Sequence, residues 1–295
     1  MNEELFKNHP LILYEFLLLS PLTEIYTASK SSELSDFTKY SRLLIDKFAI
    51  HSSSFFHLSK GILEHKKSGE QIKMNGYDLF TVNTTFRAIM ETYATFNHLF
   101  VSPQSREEKK FRFLLWKLDG LYQKRKYKIE LDDFDGVEKV LSENEKEIDL
   151  IVKEVEDSQF ISELKKEQLH KIFDSEKRIS KWRFVIRNGN IKILQIIDLI
   201  KYTCRTRAFI NMYKYSSIHT HSNFPAIEDF EKMRGKLLTK EKTDSLTRLA
   251  ITLTCLMVYD ISQINRNAAL KLNSYPAGVR NFIEGMSLSV RSGKF

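Results

Sequence analysis

Nine consecutive residues, Tyr213-Lys214-Tyr215-Ser216-Ser217-Ile218-His219-Thr220-His221, gather more proton- and phosphate-handling side chains than any other stretch of this 295-residue chain. At helical spacing Ser216 and His219 share a face with Met212 and Tyr215. Lys214 and His221, seven apart, share another, with Arg207 and Asn211 behind them. An imidazole that titrates near neutrality, set beside hydroxyls and cations, suits acid–base work on a phosphodiester. A nearby lysine or arginine would stabilise charge developing on the phosphoryl oxygens. The plainer alternative is a helix end that caps itself with serine and histidine and faces water.

A second constellation lies far upstream. Arg87 and Glu91 are four apart, with His98 seven further on, and so fall on one side of a helix. An i,i+4 pair in this order, cation first, stabilises its own helix less than the reverse. That leaves room for a role across to another helix, although an ordinary helix-stabilising ion pair explains the same spacing.

The elements that must position these residues read as helices throughout. Ser35 is the candidate N-cap of an amphipathic helix through Phe37, Tyr40, Leu44, Phe48 and Phe55, with a candidate break near Ser52 to Ser54. A second helix runs from about Tyr77 to Val101 and stops before Pro103. A third opens on the capping-box-like Ser105-Arg106-Glu107-Glu108 and continues to about Lys128. Residues 190–224 read as one long helix that begins apolar, turns basic and ends in the polar run above. A further helix passes through Leu249, Leu253, Met257 and Ile261. All five prolines fall in the expected breaks, and no convincing period-2 strand is present. The fold class is therefore all-α: an elongated helical bundle with a charged helical insert. Residues 1–33 form an N-terminal docking segment and 34–272 the bundle. The insert spans about 136–176, and 273–295 are a short helix with a frayed basic tail.

The formal charge of +8 is unevenly spread. Residues 130–176 carry about 16 acids against 6 bases, and 177–214 carry about 10 bases against the single acid Asp198. Such segregation suggests a basic surface for a polyanion and an acidic arm that shields it, or two faces that neutralise each other. Arg183, Arg187, Arg205 and Arg207, with His221, are the candidate nucleic-acid contacts. The narrow apolar stripe of the insert, Val140 to Val155, suggests a projecting arm that could meet a protein partner.

Several classes find no support. Cys204 and Cys255 lie in apolar-periodic segments, so they build neither a disulfide framework nor a thiolate metal site, and a reducing compartment is the natural expectation. No phosphate-binding glycine loop, H-E-x-x-H or G-x-S-x-G motif is present. His219 and His221 point about 200° apart on a helix and cannot share a metal there. No cofactor and no metal are expected. The run Leu11–Leu22 is too short to span a bilayer and lacks a basic n-region, so a cytoplasmic protein with no membrane role is expected.

R-A-I-M-E (Arg87, Glu91) on an early helix, paired with Y-K-Y-S-S-I-H (Tyr213, Ser216, His219) on a late one, resembles a family of uncharacterised prokaryotic helical proteins with R-x-x-x-E and S-x-x-[VI]-H motifs. That family is similar to the HEPN superfamily of small helical bundles, often metal-independent ribonucleases of toxin–antitoxin and antiphage systems. The resemblance implies a HEPN-like ribonuclease or toxin. His219 would act as general base or acid on an RNA 2′-hydroxyl, and Lys214 and Arg87 would stabilise the phosphorane. Glu91 would orient a cation or the imidazole, Ser216 would hold the histidine, and a homodimer would complete the cleft. The superfamily signature places an arginine four to six residues before its histidine. This chain has Lys214 there, which keeps the charge and loses the bidentate fork. The alternative is a non-catalytic helical binding or scaffold protein that engages a protein partner or nucleic acid.

Overall fold

The computed structural model describes residues 2–30, 35–61, 63–65, 71–73, 78–126, 137–221, 223–233 and 240–293, so the expected boundaries at 34 and 136 lie outside it. Helices dominate, and the protein is all-α as its periodicity predicts. In chain order they are α1 (Asn2–Asn8), α2 (Pro10–Leu17), α3 (Thr23–Ala28), α4 (Asp36–Leu58), α5 (Leu79–Phe96), α6 (Arg106–Lys126), α7 (Val137–Glu156), α8 (Gln159–Ser162), α9 (Lys166–Ile172), α10 (Ile196–Cys204), α11 (Arg207–Thr220), α12 (Phe224–Met233), α13 (Lys240–Ile264), α14 (Arg266–Asn273) and α15 (Ala277–Arg291). Among the described residues three small antiparallel pairs accompany them: β1 (Leu63–His65) with β2 (Gln71–Lys73), β3 (Phe173–Asp174) with β4 (Ile179–Ser180), and β5 (Phe184–Arg187) with β6 (Asn190–Ile193).

The chain divides into two compact units, one made of Met1–Asn97 and Ile197–Phe295, the other of His98–Ile196. In sequence the second unit thus interrupts the first, and it takes in α6 as well as the charged segment expected at 136–176.

The first unit is organised on α13, which packs against α2, α3, α5, α14 and α15. Ala250, Ile251, Leu253, Leu256, Met257, Val258 and Ile261 are buried around its circumference, as a helix apolar on all sides requires. The carboxylate of Asp260, fully buried on α13, accepts hydrogen bonds from Tyr93 Oη (3.0 Å) and Asn97 Nδ2 (2.7 Å) and contacts the Arg291 guanidinium. This polar pin ties α5, α13 and α15 together. The residues after Pro276 therefore depart from the expected short helix and frayed tail. Val279, Ile283, Ser287 and Val290 recur at gaps of four, four and three and are buried, and Ser287 Oγ donates to the Cys255 carbonyl at 3.1 Å.

Two other departures have local causes. The expected long helix 190–224 is a strand and two helices. Asn188 and Gly189 have positive φ (49° and 69°), the two-residue turn that joins β5 to β6, and Arg205 at φ 51° separates α10 from α11. Pro21 lies inside a continuous helical run rather than at a break. A π turn (Leu18–Leu22) absorbs it, and the Leu18 carbonyl accepts from Thr23 Oγ1 at 2.8 Å. That run, Pro10–Ala28, is long and apolar enough to cross a membrane, as is Thr243–Ile264, although the latter is mostly buried inside the protein.

In the second unit α7 lies along α6. Its stripe, Ile148, Ile151 and Val155, is buried, so α7 is not the projecting arm its narrow stripe suggested. Ion pairs join Lys110 to Glu154 (3.5 Å), Lys117 to Glu147 (3.2 Å) and Arg125 to Glu145 (3.0 Å). Part of the acidic face is thus neutralised within the unit.

Candidate functional site

The two constellations meet where α5 packs antiparallel to α11, both in the first unit. Asp78 caps α5 by accepting from Thr81 N, and Phe86, Ile89 and Tyr93 bury its core face. Phe209 and Tyr213 do the same for α11. The polar residues between these stripes then pair in register, because each step of three or four along one helix is matched by an opposite step along the other.

One edge of the seam holds Glu91, Arg87 and Thr84 against Tyr213, Ser217 and Thr220. Glu91 Oε1 accepts from Arg87 Nε at 2.8 Å and from Tyr213 Oη at 2.9 Å. The Arg87 guanidinium lies over the Tyr213 ring, 5.0 Å from its centroid, and Nη1 donates to Ser217 Oγ at 3.4 Å. The Thr84 and Thr220 hydroxyls are 3.5 Å apart. Arg87 and Glu91 are 22 % and 35 % exposed, so the guanidinium is oriented by three partners yet reachable from solvent. Burial, and then the Glu91 carboxylate, push the Tyr213 phenol up to about 12.

The other edge is drier. Ser216 Oγ donates to Asn83 Oδ1 at 3.1 Å, both residues fully buried, and is thus engaged by Asn83 rather than holding the histidine as expected. His219 is 1 % exposed. Its ring packs edge-on against Tyr215 (centroids 4.4 Å apart) and Phe80 (5.9 Å), and its Nε2 is 3.6 Å from Asp229 Oδ2. The same Asp229 oxygen accepts from Tyr215 Oη at 3.2 Å, and burial, then Asp229, raise that phenol to about 12.

Placement of the expected residues is therefore mixed. Arg87 and Glu91 are joined to Tyr213 and Ser217. His219 lies six residues beyond Tyr213, about 9 Å further along the axis, and its described carboxylate partner is Asp229 on α12. Glu91 orients the cation and the phenol, not the imidazole. Lys214 is exposed and lies about 140° around α11 from His219, on the side that carries Arg207 and His221. A helical register cannot bring it to the histidine. Arg205 is exposed and donates to the Arg291 carbonyl at 3.1 Å. Arg183 and Arg187 belong to the second unit, Arg183 over the Trp182 ring (5.3 Å) and Arg187 exposed at the end of β5. Cys204 and Cys255 are buried, which pushes both thiols up, Cys204 to about 12.

Asp229, Asn83 and the ring stack of Tyr215 on His219 are the contributors that spacing did not reveal. Asn83 was legible as a polar residue on a core stripe. Asp229 was not, because it lies on a separate helix, α12, whose packing against α11 is a tertiary fact. Among the described residues no group of three His, Cys, Asp or Glu is arranged to hold a metal. No protein-family model, curated protein or solved structure matches this chain.

Proposed function

We propose that this protein is a non-catalytic helical binding protein for a polyanion, with RNA the first candidate, built on a HEPN-like helix pair. The observation that carries it is the burial of His219. General acid–base transfer requires the imidazole within about 3 Å of the proton it moves. A ring 1 % exposed, flanked by Phe80 and Tyr215, offers no such approach. Lys214, at the superfamily's cation position, faces away from it. What remains suited to a phosphate is cationic: the oriented guanidinium of Arg87 and the side of α11 that carries Arg207, Lys214 and His221, on a chain of charge +8.

One contact favours a second reading, the metal-independent ribonuclease. His219 stands 3.6 Å from the partly exposed Asp229, in the same seam as Arg87. If α12 swung aside, His219 could take the 2′-hydroxyl proton, and that oxygen is an internal nucleophile already held near phosphorus. Arg87 would face the phosphorane, and a second copy would close the cleft as the resemblance implies. A role as a defence toxin belongs to this reading.

Purified protein in chelator, incubated with labelled RNA, separates the two. The expected result is salt-dependent binding without cleavage, equal for wild type and a folded His219→Gln variant. Cleavage by wild type that His219→Gln abolishes would install the nuclease. Absence of RNA binding at low salt would remove the polyanion.

A further inference from the structure

The second unit carries a feature that the α5–α11 seam does not use. On the α6 face that presents Asp119 and Gln123, the chain from Lys177 to Gln195 borders two adjoining hollows of about 560 and 450 Å³. They share Asp119, Gln123, Ser180 and Lys181. Arg183 flanks the first hollow, and Arg125, Lys177 and Arg178 flank the second. We infer that this double hollow is a groove for single-stranded nucleic acid: cations on both flanks take the phosphates, and Asp119 with its neighbouring amides meets base edges at the centre. The inference rests on the polyanion reading and adds to Arg87 and the α11 side a strand-binding site in the second unit.

Three observations favour a nucleic-acid strand over an acidic peptide. The Arg183 guanidinium lies over the Trp182 indole at 5.3 Å, and a guanidinium backed by an indole is a platform on which an unstacked base sits. Asp119 occupies the saddle between the hollows, where a carboxylate repels an acidic side chain but accepts from the amino groups of cytosine or adenine. It is held there by Trp182 Nε1 (3.2 Å) and Gln123 Nε2 (3.1 Å), both bonded to Oδ2, and neither bond uses Oδ1. Lys181, exposed at the saddle, adds the cation that a phosphate between two bases needs.

The groove also contains its own competitor. Glu145 of α7 pairs with Arg125 at 3.0 Å and lies 3.9 Å from Arg178, so one carboxylate holds two of the cations on the second flank. Arg178 itself is kept at φ 53°, a left-handed conformation unfavourable for a non-glycine residue. An incoming phosphate takes the place of Glu145 there. The acidic helix thereby weakens binding without touching the ligand.

The test is fluorescence anisotropy of a labelled 12-nucleotide single-stranded RNA of mixed sequence, with the full chain at low salt. Matched duplex and polyglutamate serve as competitors. The double variant Lys181→Glu/Arg183→Glu should lose at least tenfold in affinity and flatten the salt dependence by about one unit of slope per lost phosphate contact. Glu145→Gln should bind about threefold tighter, an effect a merely structural role would not produce. Lys39→Glu, an exposed lysine of the first unit, should stay within twofold, and thermal melts confirm that each variant folds. If wild type binds but the double variant binds equally well, the groove is not the site and the polyanion reading survives. If polyglutamate or duplex competes as well as single strand, the ligand class is wrong. If wild type binds no nucleic acid, both readings fall.

Discussion

Each unit contains a buried histidine and an i,i+4 pair of arginine and glutamate, and the two arrangements behave differently. In the second unit Glu108 and Arg112 form an ion pair with side chains 8 % and 3 % exposed. Arg112 Nη1 donates to His98 Nδ1 at 3.1 Å, while His98 Nε2 is 3.2 Å from the Trp182 carbonyl, which assigns the proton to Nε2. Arg112 also donates to the His98 carbonyl at 3.1 Å and lies over the Phe184 ring at 4.9 Å. Glu108 Oε2 accepts from Gln104 N at 2.7 Å, and its own N–H donates to Ser105 Oγ at 3.0 Å. The cluster is closed on itself and serves the fold. In the first unit the Arg87–Glu91 pair is a fifth to a third exposed, and the carboxylate nearest His219 belongs to Asp229, itself about a third exposed. That seam has an open side through which a ligand can reach a guanidinium. Both places use an i,i+4 pair of arginine and glutamate; solvent access separates them.

The largest expected effect is on the closed cluster. Arg112→Met keeps the volume and leaves Glu108 as a buried charge without its counter-ion, which should cost about 3–5 kcal/mol of the second unit's stability. Arg87→Met, at a pair that water already screens, should cost about 1 kcal/mol. Urea denaturation followed by amide exchange in α6 and α5 reads both. Equal losses would end the distinction between a structural and an accessible pair.

Acid sharpens the same contrast. Burial, and then the Arg112 charge, hold the His98 pKa well below its ordinary 6.5. Below pH 6.5 the unfolded chain takes up a proton at this residue that the folded chain does not, so the unfolded state is favoured as pH falls. Stability should therefore decline by up to about 1.4 kcal/mol per pH unit from pH 6.5 downward, and be flat above it for this group. His98→Gln should remove that component of the slope. His51, whose pKa burial also lowers, titrates in both proteins and cancels in the difference. Parallel slopes for wild type and variant between pH 7.5 and 5.5 would mean that His98 is not held neutral.

These two clusters also mark what was legible in the sequence. The i,i+3 and i,i+4 apolar stripes were enough for α4, α5, α6 and α13, and the Ser35 and Ser105 caps were readable because capping is a local bond. The Arg87–Glu91 and Tyr213–His219 segments were singled out by residue type, and their packing against each other is a tertiary fact that linear spacing does not give. Burial could not be read: Glu108 was visible only as part of a capping-box-like start and Arg112 carried no signal, and only tertiary packing against Phe184 and His98 encloses them. The β5–β6 hairpin was legible in principle, since Asn188-Gly189 between apolar residues is a hairpin signal. The apolar run after Asn190 is compatible with either period, and it was assigned to a helix. Lys214 and His219 illustrate the remaining gap. Linear spacing put them together, and the helix turns them about 140° apart.

The smallest effect tests the open seam from inside. Glu91→Gln keeps an oxygen that can accept from Arg87 and Tyr213 while removing the charge. Stability should change by less than about 1 kcal/mol, because Glu91 is a third exposed and its ion pair is screened. The Tyr213 phenol should respond more clearly. Its pKa near 12 has burial as the first cause and the Glu91 charge as the second, with Arg87 opposing. Removing the carboxylate should bring it down toward the ordinary value near 10 without reaching it, since burial persists. ¹³C-tyrosine NMR across pH 9–12, assigned with Tyr213→Phe, follows the resonance directly. A Tyr213 titration identical in wild type and Glu91→Gln would mean that the phenol, guanidinium and carboxylate do not form one unit. Arg87 would then lack the fixed orientation that makes it a useful phosphate ligand.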